Sequence, residues 1–514
     1  MRTTMLSALL LLLFASQAWS YNVLCIFPTP SKSHNHLGKG IVDALLDAGH
    51  QVTWGTPFPS KTSNKNLRMI DLSSTVALSA DIDMTQPRFR NAGPDFLRSF
   101  ARNISISALS SQELRDALTK QQFDAVVTEW FFSDYDCGYA AVQQAPWILL
   151  SGMTMHPHLE MLVDEVRSIQ THPLLFNDFP VPMTLWQRMI NSFIFGMMTI
   201  SNWRDQPDND AYYQSAFGPL AKARGLSLPA YQDALHNVSI LFVNTDPAVD
   251  RPRSVPANVI SIAGYHIDAN PGPLPKDLET ILDSSSKGVI YFSMGSVLKS
   301  SAFPEHLIAD LLKLFGELPY TVLWKFEKEL TGAPKNVHVR AWFPQASILA
   351  HPNVKLFITH GGLLSTLEAA NAGVPILAVP MFGDQPSNAA RAVRAGVARK
   401  VDFSHHMADE LRKELNEMLS NDSYLKTAQS VSKLFRKRPV APSKLISHYV
   451  EVAIESKGAY HLRSPSKLYA WYERYMLDQL AIVGAILYLI VKLIKTAVSV
   501  IKRKVSGGKK QKRS

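Results

Sequence analysis

Short apolar runs alternate with amphipathic stretches along most of the chain. In the first half, YNVLCIFP (21–28) has the unbroken apolar character of a buried strand. Residues 37–49 carry a helical period and stop at Gly49, and HQVTWGT opens a second strand. FDAVVTEWF (123–131) and PWILLSG (146–152) read as strands around a helix, followed by SILFVNT (239–245) and VISIAG (259–264). The second half repeats the rhythm with GVIYFSMGS (288–296), YTVLWKF (320–326), NVHVRAW (336–342), VKLFITH (354–360) and VPILAVP (374–380). Apolar runs this short, spaced by helix-period segments, predict parallel α/β sheets covered on both faces. Residues 265–287, rich in proline with a serine run, predict a linker between an N-terminal domain, 21–264, and a second domain, 288–440.

Three segments break this rhythm. LWQRMINSFIFGMMTISNW (185–203) is apolar nearly all round, which predicts a buried helix; a wall for a greasy ligand and contact with a membrane surface are the functional alternatives. After a helical return and juxtamembrane stretch (441–479), LAIVGAILYLIV and TAVSVI form an apolar segment at 480–501. As a helix it would run about 33 Å, enough to cross a bilayer if Lys492 and Lys495 snorkel to the tail side. The N-terminus, MRTTMLSALLLLLFASQAWS, has Arg2, an apolar run, and Ala18 and Ser20 at −3 and −1 of a cut, the pattern of a signal peptide over 1–20.

These segments change how the charge is read. The formal charge of +10 comes almost wholly from residues 492–514, which carry nine Lys or Arg and no acid. The body is near neutral, which argues against a nucleic-acid partner, and the basic tail, 502–514, is expected in the cytosol. A cleaved signal then makes the body lumenal and the anchor single-pass, type I. Sequons at Asn103, Asn237 and Asn421 fit a lumenal body, and Lys510 and Lys512 resemble a dilysine signal for the endoplasmic reticulum membrane. Cys25 and Cys137 both sit beside strand-like runs and read as two buried free thiols.

The candidate chemistry gathers at strand C-termini in the second half, the rim where open α/β sheets bind ligands. In VKLFITHGGLLSTLEAANAGVP a strand feeds a Gly-Gly turn and then a helix. Free N–H groups at that helix start favour an anion, Gly362 lets backbone approach it, and His360 and Ser365 add donors. Glu368, one turn on, can accept from ribose hydroxyls, and Asp384 with Gln385 beyond the next strand can read several sugar hydroxyls. Upstream, Trp342 offers a stacking face for a base, Gln345 can read its edge, and Ser296 follows a fourth strand. This pattern is neither a Walker loop nor GxGxxG, so ordinary nucleotide hydrolases and dehydrogenases fit poorly.

W-F-P-Q, T-H-G-G, S-x-x-E and G-D-Q, over roughly residues 342–388, resemble the donor signature of the UDP-glycosyltransferases. The layout of the whole chain is similar to their membrane-anchored animal members. The resemblance implies a GT-B architecture, two Rossmann-like domains facing a cleft. It implies that Trp342 and Gln345 hold uracil, Glu368 the ribose, and His360, Gly362 and Ser365 the pyrophosphate with Ser296 helping. Asp384 and Gln385 would hold the sugar. Plant members often carry Asn where Leu364 stands, and some members reach a phosphate from the loop of Arg253.

The resemblance also points to PTPSKSHNHLGKG, the loop after the first strand, where Ser33-His34 matches a family Ser-His and His34 would be the general base; His36 lies on the same loop. An unperturbed imidazole pKa near neutrality suits that role. Vertebrate members orient the base with an Asp after a strand. The aligned residue here is Glu129, with Asp134 and Asp136 close behind; Glu129 is favoured and Asp134 is the alternative. The expected activity is inverting transfer of a hexose, most simply glucose, from a UDP-sugar to a hydroxyl of a small lipophilic acceptor, with no metal or cofactor. Homo-oligomerisation stays open. The alternative is a non-catalytic protein that binds hydrophobic ligands on the same fold.

Overall fold

A computed structural model of the chain describes residues 20–79, 82, 86, 93–175, 177–268 and 271–511. The expected signal peptide, save Ser20, and the last three tail residues lie outside them. The first sheet holds β1 (Asn22–Ile26), β2 (Gln51–Thr56), β3 (Leu67–Asp71), β4 (Ala125–Trp130), β5 (Trp147–Ser151), β6 (Val238–Val243) and β7 (Val259–Ser261). The second holds β8 (Val289–Ser293), β9 (Thr321–Lys325), β10 (Val337–Arg340), β11 (Val354–Thr359), β12 (Ile376–Ala378) and β13 (Ala398–Lys400). Their orders are β3-β2-β1-β4-β5-β6-β7 and β10-β9-β8-β11-β12-β13, and neighbouring strands pair in parallel throughout.

Every short apolar run read above as a strand forms one, because both sheet faces are covered. On β1, Leu24 and Ile26 enter one apolar cluster while Val23 and Cys25 enter the other; on β8, Ile290 and Phe292 alternate with Val289 and Tyr291 in the same way. Two strands had no such signal, β3 and β13, and both are sheet edges. The first carries Arg68 and Asp71 outward, and the second is three residues long. Cys25 and Cys137 are buried free thiols in different clusters, as expected.

The helix after β1 begins earlier than its period suggested, at Lys32 rather than near residue 37, and runs to Asp47. His34 and His36 therefore lie in its first turns and not on a loop. Gly38 and Gly40, early in this helix, serve close packing. A Cβ at Gly38 would sit 2.7 Å from the Phe27 ring, and one at Gly40 would sit 2.9 Å from that of Tyr265.

The helix Leu185–Arg204 overturns a second expectation. It starts at a Thr184–Gln187 capping box, but among its residues only Asn191 is fully buried. The Asn191 amide donates to the carbonyls of Ile169 and His172 and accepts from the N–H of Leu174, so a polar side chain docks this helix. Much of its apolar surface is left outside.

The helix Pro442–Glu455 returns to the first sheet. Ile446, Val450 and Ala453 join that sheet's core, and Glu451 accepts from the buried His50 ring at 3.1 Å. Full burial of a side chain such as Ile446 or Val450 stabilises by roughly 1.5–3 kcal/mol, enough to fasten the helix there. Residues 464–514 form a separate compact unit. Within it Leu477–Lys504 is long and apolar enough to cross a membrane.

Candidate functional site

Strand order reverses between β1 and β4 in the first sheet and between β8 and β11 in the second. Crevices at such switch points, beyond the carboxyl ends of the strands, are where open parallel sheets take ligands. His34 follows β1 and Glu129 sits near the end of β4. Gly295 and Ser296 follow β8, and His360 follows β11.

In the first crevice Nδ1 of His34 meets Glu129 Oε1 at 2.6 Å. The register explains the meeting: Ile26 pairs with Thr128, so Glu129 lies one residue past the end of β1, beside the helix that carries His34. Gly152 leaves the room; a Cβ there would lie 2.8 Å from Glu129 Oε1 and 2.5 Å from Leu37. Phe131 closes one side, its ring 4.6 Å from the imidazole. Burial alone would push the His34 pKa down. The Glu129 carboxylate, hydrogen-bonded to the ring, and Asp384 beyond it outweigh that and hold it above the ordinary value. His36 has no such carboxylate; burial and Lys39 lower it, and its ring faces His266.

Asp134, the alternative orienting carboxylate, is not at His34. It accepts from the Trp130 indole at 2.8 Å and faces His158 Nε2 at 3.1 Å through both oxygens. Burial works to raise its pKa, but His158 and Trp130 hold it below the usual carboxylate range. Five residues beyond Glu129, past the end of β4, Asp134 has turned to another wall. That wall belongs to a pocket of about 630 Å³, counting its open mouth, lined by Trp130, Phe132, His156, His158, Phe195 and Met198 among others. Asp136 points into the core instead, bonded to Ser105, and burial raises it to about 7.

On the donor side the second sheet's loops place the expected groups together. Phe343 is buried against Tyr291 and turns its neighbour Trp342 outward, leaving the indole 59% exposed. Gln345 donates to Ser365 Oγ at 3.0 Å and to Glu368 Oε2, so these three form one cluster. Burial lifts the Glu368 carboxyl to about 7, with the Gln345 bond opposing. The His360 ring sits between two glycines: a Cβ at Gly295 or at Gly362 would lie 2.5 Å from it. Burial and the Lys325 ammonium lower its pKa to about 4, so it is neutral at neutral pH. Asp384 accepts from Asn388 at 2.8 Å, and Asn388 also donates to the Gly361 carbonyl, tying the Asp-Gln turn to the Gly-Gly turn. Gln385 uses its carbonyl on the N–H groups of Met381 and Phe382. Leu364 packs against the first domain's core, and Arg253 faces Glu160 at 3.5 Å.

The two halves meet over these sites. Lys32, two residues before His34, holds its ammonium 5.1 Å above the Trp342 ring, and His34 lies close enough to Asp384 for each to shift the other. Lys32, Phe131, His156, His158 and Lys325 carried no sequence signal, because each acquires its place through distant parts of the chain. Gly295 was legible only as the glycine within FSMGS.

Two doubly wound parallel sheets, each with loops gathered at its switch point, are the architecture of GT-B glycosyltransferases. A calicheamicin glycosyltransferase, CalG4, shares the fold with a TM-score of 0.58 at 16% identity, covering 85% of this chain and 99% of that one. The family described as UDP-glucoronosyl and UDP-glucosyl transferase matches residues 51–512. UDP-glucosyltransferase 2 of Dactylopius coccus is 32% identical over 470 residues, 89% of this chain and 88% of that relative. UDP-glucuronosyltransferase 1A6 of Mus musculus is 28% identical over 501 residues, 92% and 90% of the two chains. The chain belongs to this UDP-glycosyltransferase family and is a glycosyltransferase enzyme.

Proposed function

We propose that this enzyme transfers a hexose, glucose in the first instance, from its UDP-sugar to a hydroxyl of a small lipophilic acceptor with inversion at the anomeric carbon. The single observation that carries this reading is the His34–Glu129 pair at 2.6 Å, with Asp384 of the sugar-reading turn within electrostatic reach. Glu129 holds Nδ1 and stabilises the charged ring, so Nε2 takes the acceptor proton as the hydroxyl oxygen attacks. The bond from the anomeric carbon to the UDP oxygen breaks on the opposite face, and UDP leaves with the electron pair. The N–H groups opening the helix Leu363–Ala372 and a donating His360 stabilise the pyrophosphate. Trp342 stacks the base, Gln345 and Glu368 hold uridine, Ser296 and Ser365 add phosphate contacts, and Asp384 with Gln385 holds the hexose. The pocket behind Phe132 takes the acceptor. Glucose as donor draws on the printed name of the Dactylopius coccus relative.

The same reading makes Leu477–Lys504 a single-pass anchor in the endoplasmic reticulum membrane, with the body lumenal and the basic tail cytosolic. The test is turnover of UDP-glucose by purified membranes against a panel of phenols, with the product's anomeric configuration read by NMR. Wild type should yield the β-glucoside, and His34→Ala should lose roughly 10²–10⁴-fold in kcat/KM with UDP binding intact. Undiminished turnover in His34→Ala refutes the base, and an α-glucoside refutes inversion.

A further inference from the structure

We propose that the outward face of the helix Leu185–Arg204 is a membrane-contact surface, through which lipophilic acceptors reach the pocket directly behind it. Trp186, Met189, Phe193, Met197, Ile200 and Trp203 step by three or four residues and so form one stripe, about 25 Å long at 1.5 Å per residue. Each is between 53% and 75% exposed. A helix on the surface of a water-soluble body turns its polar residues outward; this one buries Asn191 and exposes the stripe. A run of six large apolar side chains marks an interaction surface rather than ordinary surface scatter.

Three observations favour lipid as the occupant. The stripe carries indoles at both ends, where amphipathic rings suit the headgroup boundary. The helix has exposed Arg188 and Arg204, the latter paired with Asp205 just past its end, and no acidic residue of its own, so it holds no carboxylate that lipid phosphates would repel. The body is also joined to the membrane-length helix by residues 464–476, which fully extended reach only about 45 Å. That last point rests on the anchored reading above. The other side of the same helix supplies Phe195, Met198, Thr199 and Asn202 to the pocket. A molecule dissolved in the outer hydrocarbon is then one helix diameter, about 10 Å, from the acceptor site.

The test uses the full chain in phosphatidylcholine–phosphatidylserine proteoliposomes. A Phe193→Cys reporter carries an environment-sensitive dye; Cys25 and Cys137 are buried and stay unlabelled. Lipids bearing a shallow nitroxide should quench this dye at least threefold more than one at Lys433→Cys, an exposed site on the second domain. Equal quenching overturns the proposal, and so does energy transfer between copies labelled at Phe193→Cys without lipid quenching, which would make a second copy the occupant. In parallel, Phe193→Asp with Met197→Asp should raise KM at least fivefold for a bilayer-partitioned phenol and leave KM for a water-soluble phenol unchanged; equal effects on both refute entry from the bilayer. Carbonate washing separates the two ideas: a chain that washes off refutes the anchor, whatever the dye reports. The quenching needs no turnover, so it stands apart from the catalytic assignment.

Discussion

His34 and His360 both lie at switch-point crevices, His34 on the helix after β1 and His360 directly after β11, and their surroundings drive them in opposite directions. Both rings are partly buried, which disfavours charge. Beside His34 stands a buried carboxylate, and its pKa rises; beside His360 stands a lysine, with glycine on both sides, and its pKa falls to about 4. On the proposed reading the first ring receives a proton and the second, neutral, donates a hydrogen bond to an anion, and the charged partner that separates them is Glu129 in one case and Lys325 in the other.

Removing that partner should have the largest effect. Glu129→Gln leaves the hydrogen-bonding shape but takes away the charge, so kcat/KM should fall roughly 10²-fold while UDP affinity, measured by thermal shift, stays the same. A loss confined to KM for the donor would mean that Glu129 does not act on His34. On the other side, Gly362→Ala places a Cβ 2.5 Å from the His360 ring and should evict it from its slot. The donor KM should then rise about tenfold, equivalent to about 1.4 kcal/mol, with a smaller change in kcat; an unchanged KM would show that the slot is not needed.

A subtler test uses the carboxyl proposed to read the ribose. Glu368 is raised to about 7, so it is mostly protonated at pH 6 and mostly ionised at pH 8. Ribose hydroxyls need an acceptor, so donor KM should fall several-fold, at most about tenfold, across that range. Glu368→Gln should flatten the dependence, and a slope that survives the substitution assigns it to another group.

The smallest effect concerns stability. Asp136 is also raised to about 7, by burial with Ser105 as its partner. The folded chain therefore holds a proton that the unfolded chain releases above about pH 4. That contribution is complete below the unfolded pKa and is lost as pH rises through 7. Asp136→Asn should raise Tm at pH 8 by a few degrees, for about 1–2 kcal/mol, and change it little at pH 5. Equal shifts at both pH values would place the effect elsewhere.

The proposed donor groups could be read together because all but Ser296 follow successive strand ends within residues 342–388. His34 was singled out through the Ser33-His34 resemblance, and its helix starts at Lys32 rather than near residue 37. The choice between Glu129 and Asp134 was not legible. Only the pairing of β1 with β4, a contact between segments a hundred residues apart, brings Glu129 to His34 and carries Asp134 on to His158. Composition misled at Leu185–Arg204: an all-round apolar helix reads as buried, and the orientation set by Asn191 appears only in the fold. The edge strands β3 and β13 escaped notice because each breaks its apolar pattern with charge, Arg68 and Asp71 on one and Arg399 and Lys400 on the other, and β13 is only three residues long.

The most direct test of the contrast between the two histidines is the pH dependence of kcat/KM for the acceptor at saturating UDP-glucose, in wild type and in Glu129→Gln. With His34 as the proposed base, activity requires its neutral form, so the wild-type rate should climb with pH through an apparent pKa above the ordinary histidine value of about 6.5. Without the carboxylate, that limb should move to lower pH as overall activity drops. An identical limb in both proteins would contradict the claim that Glu129 sets the charge on His34.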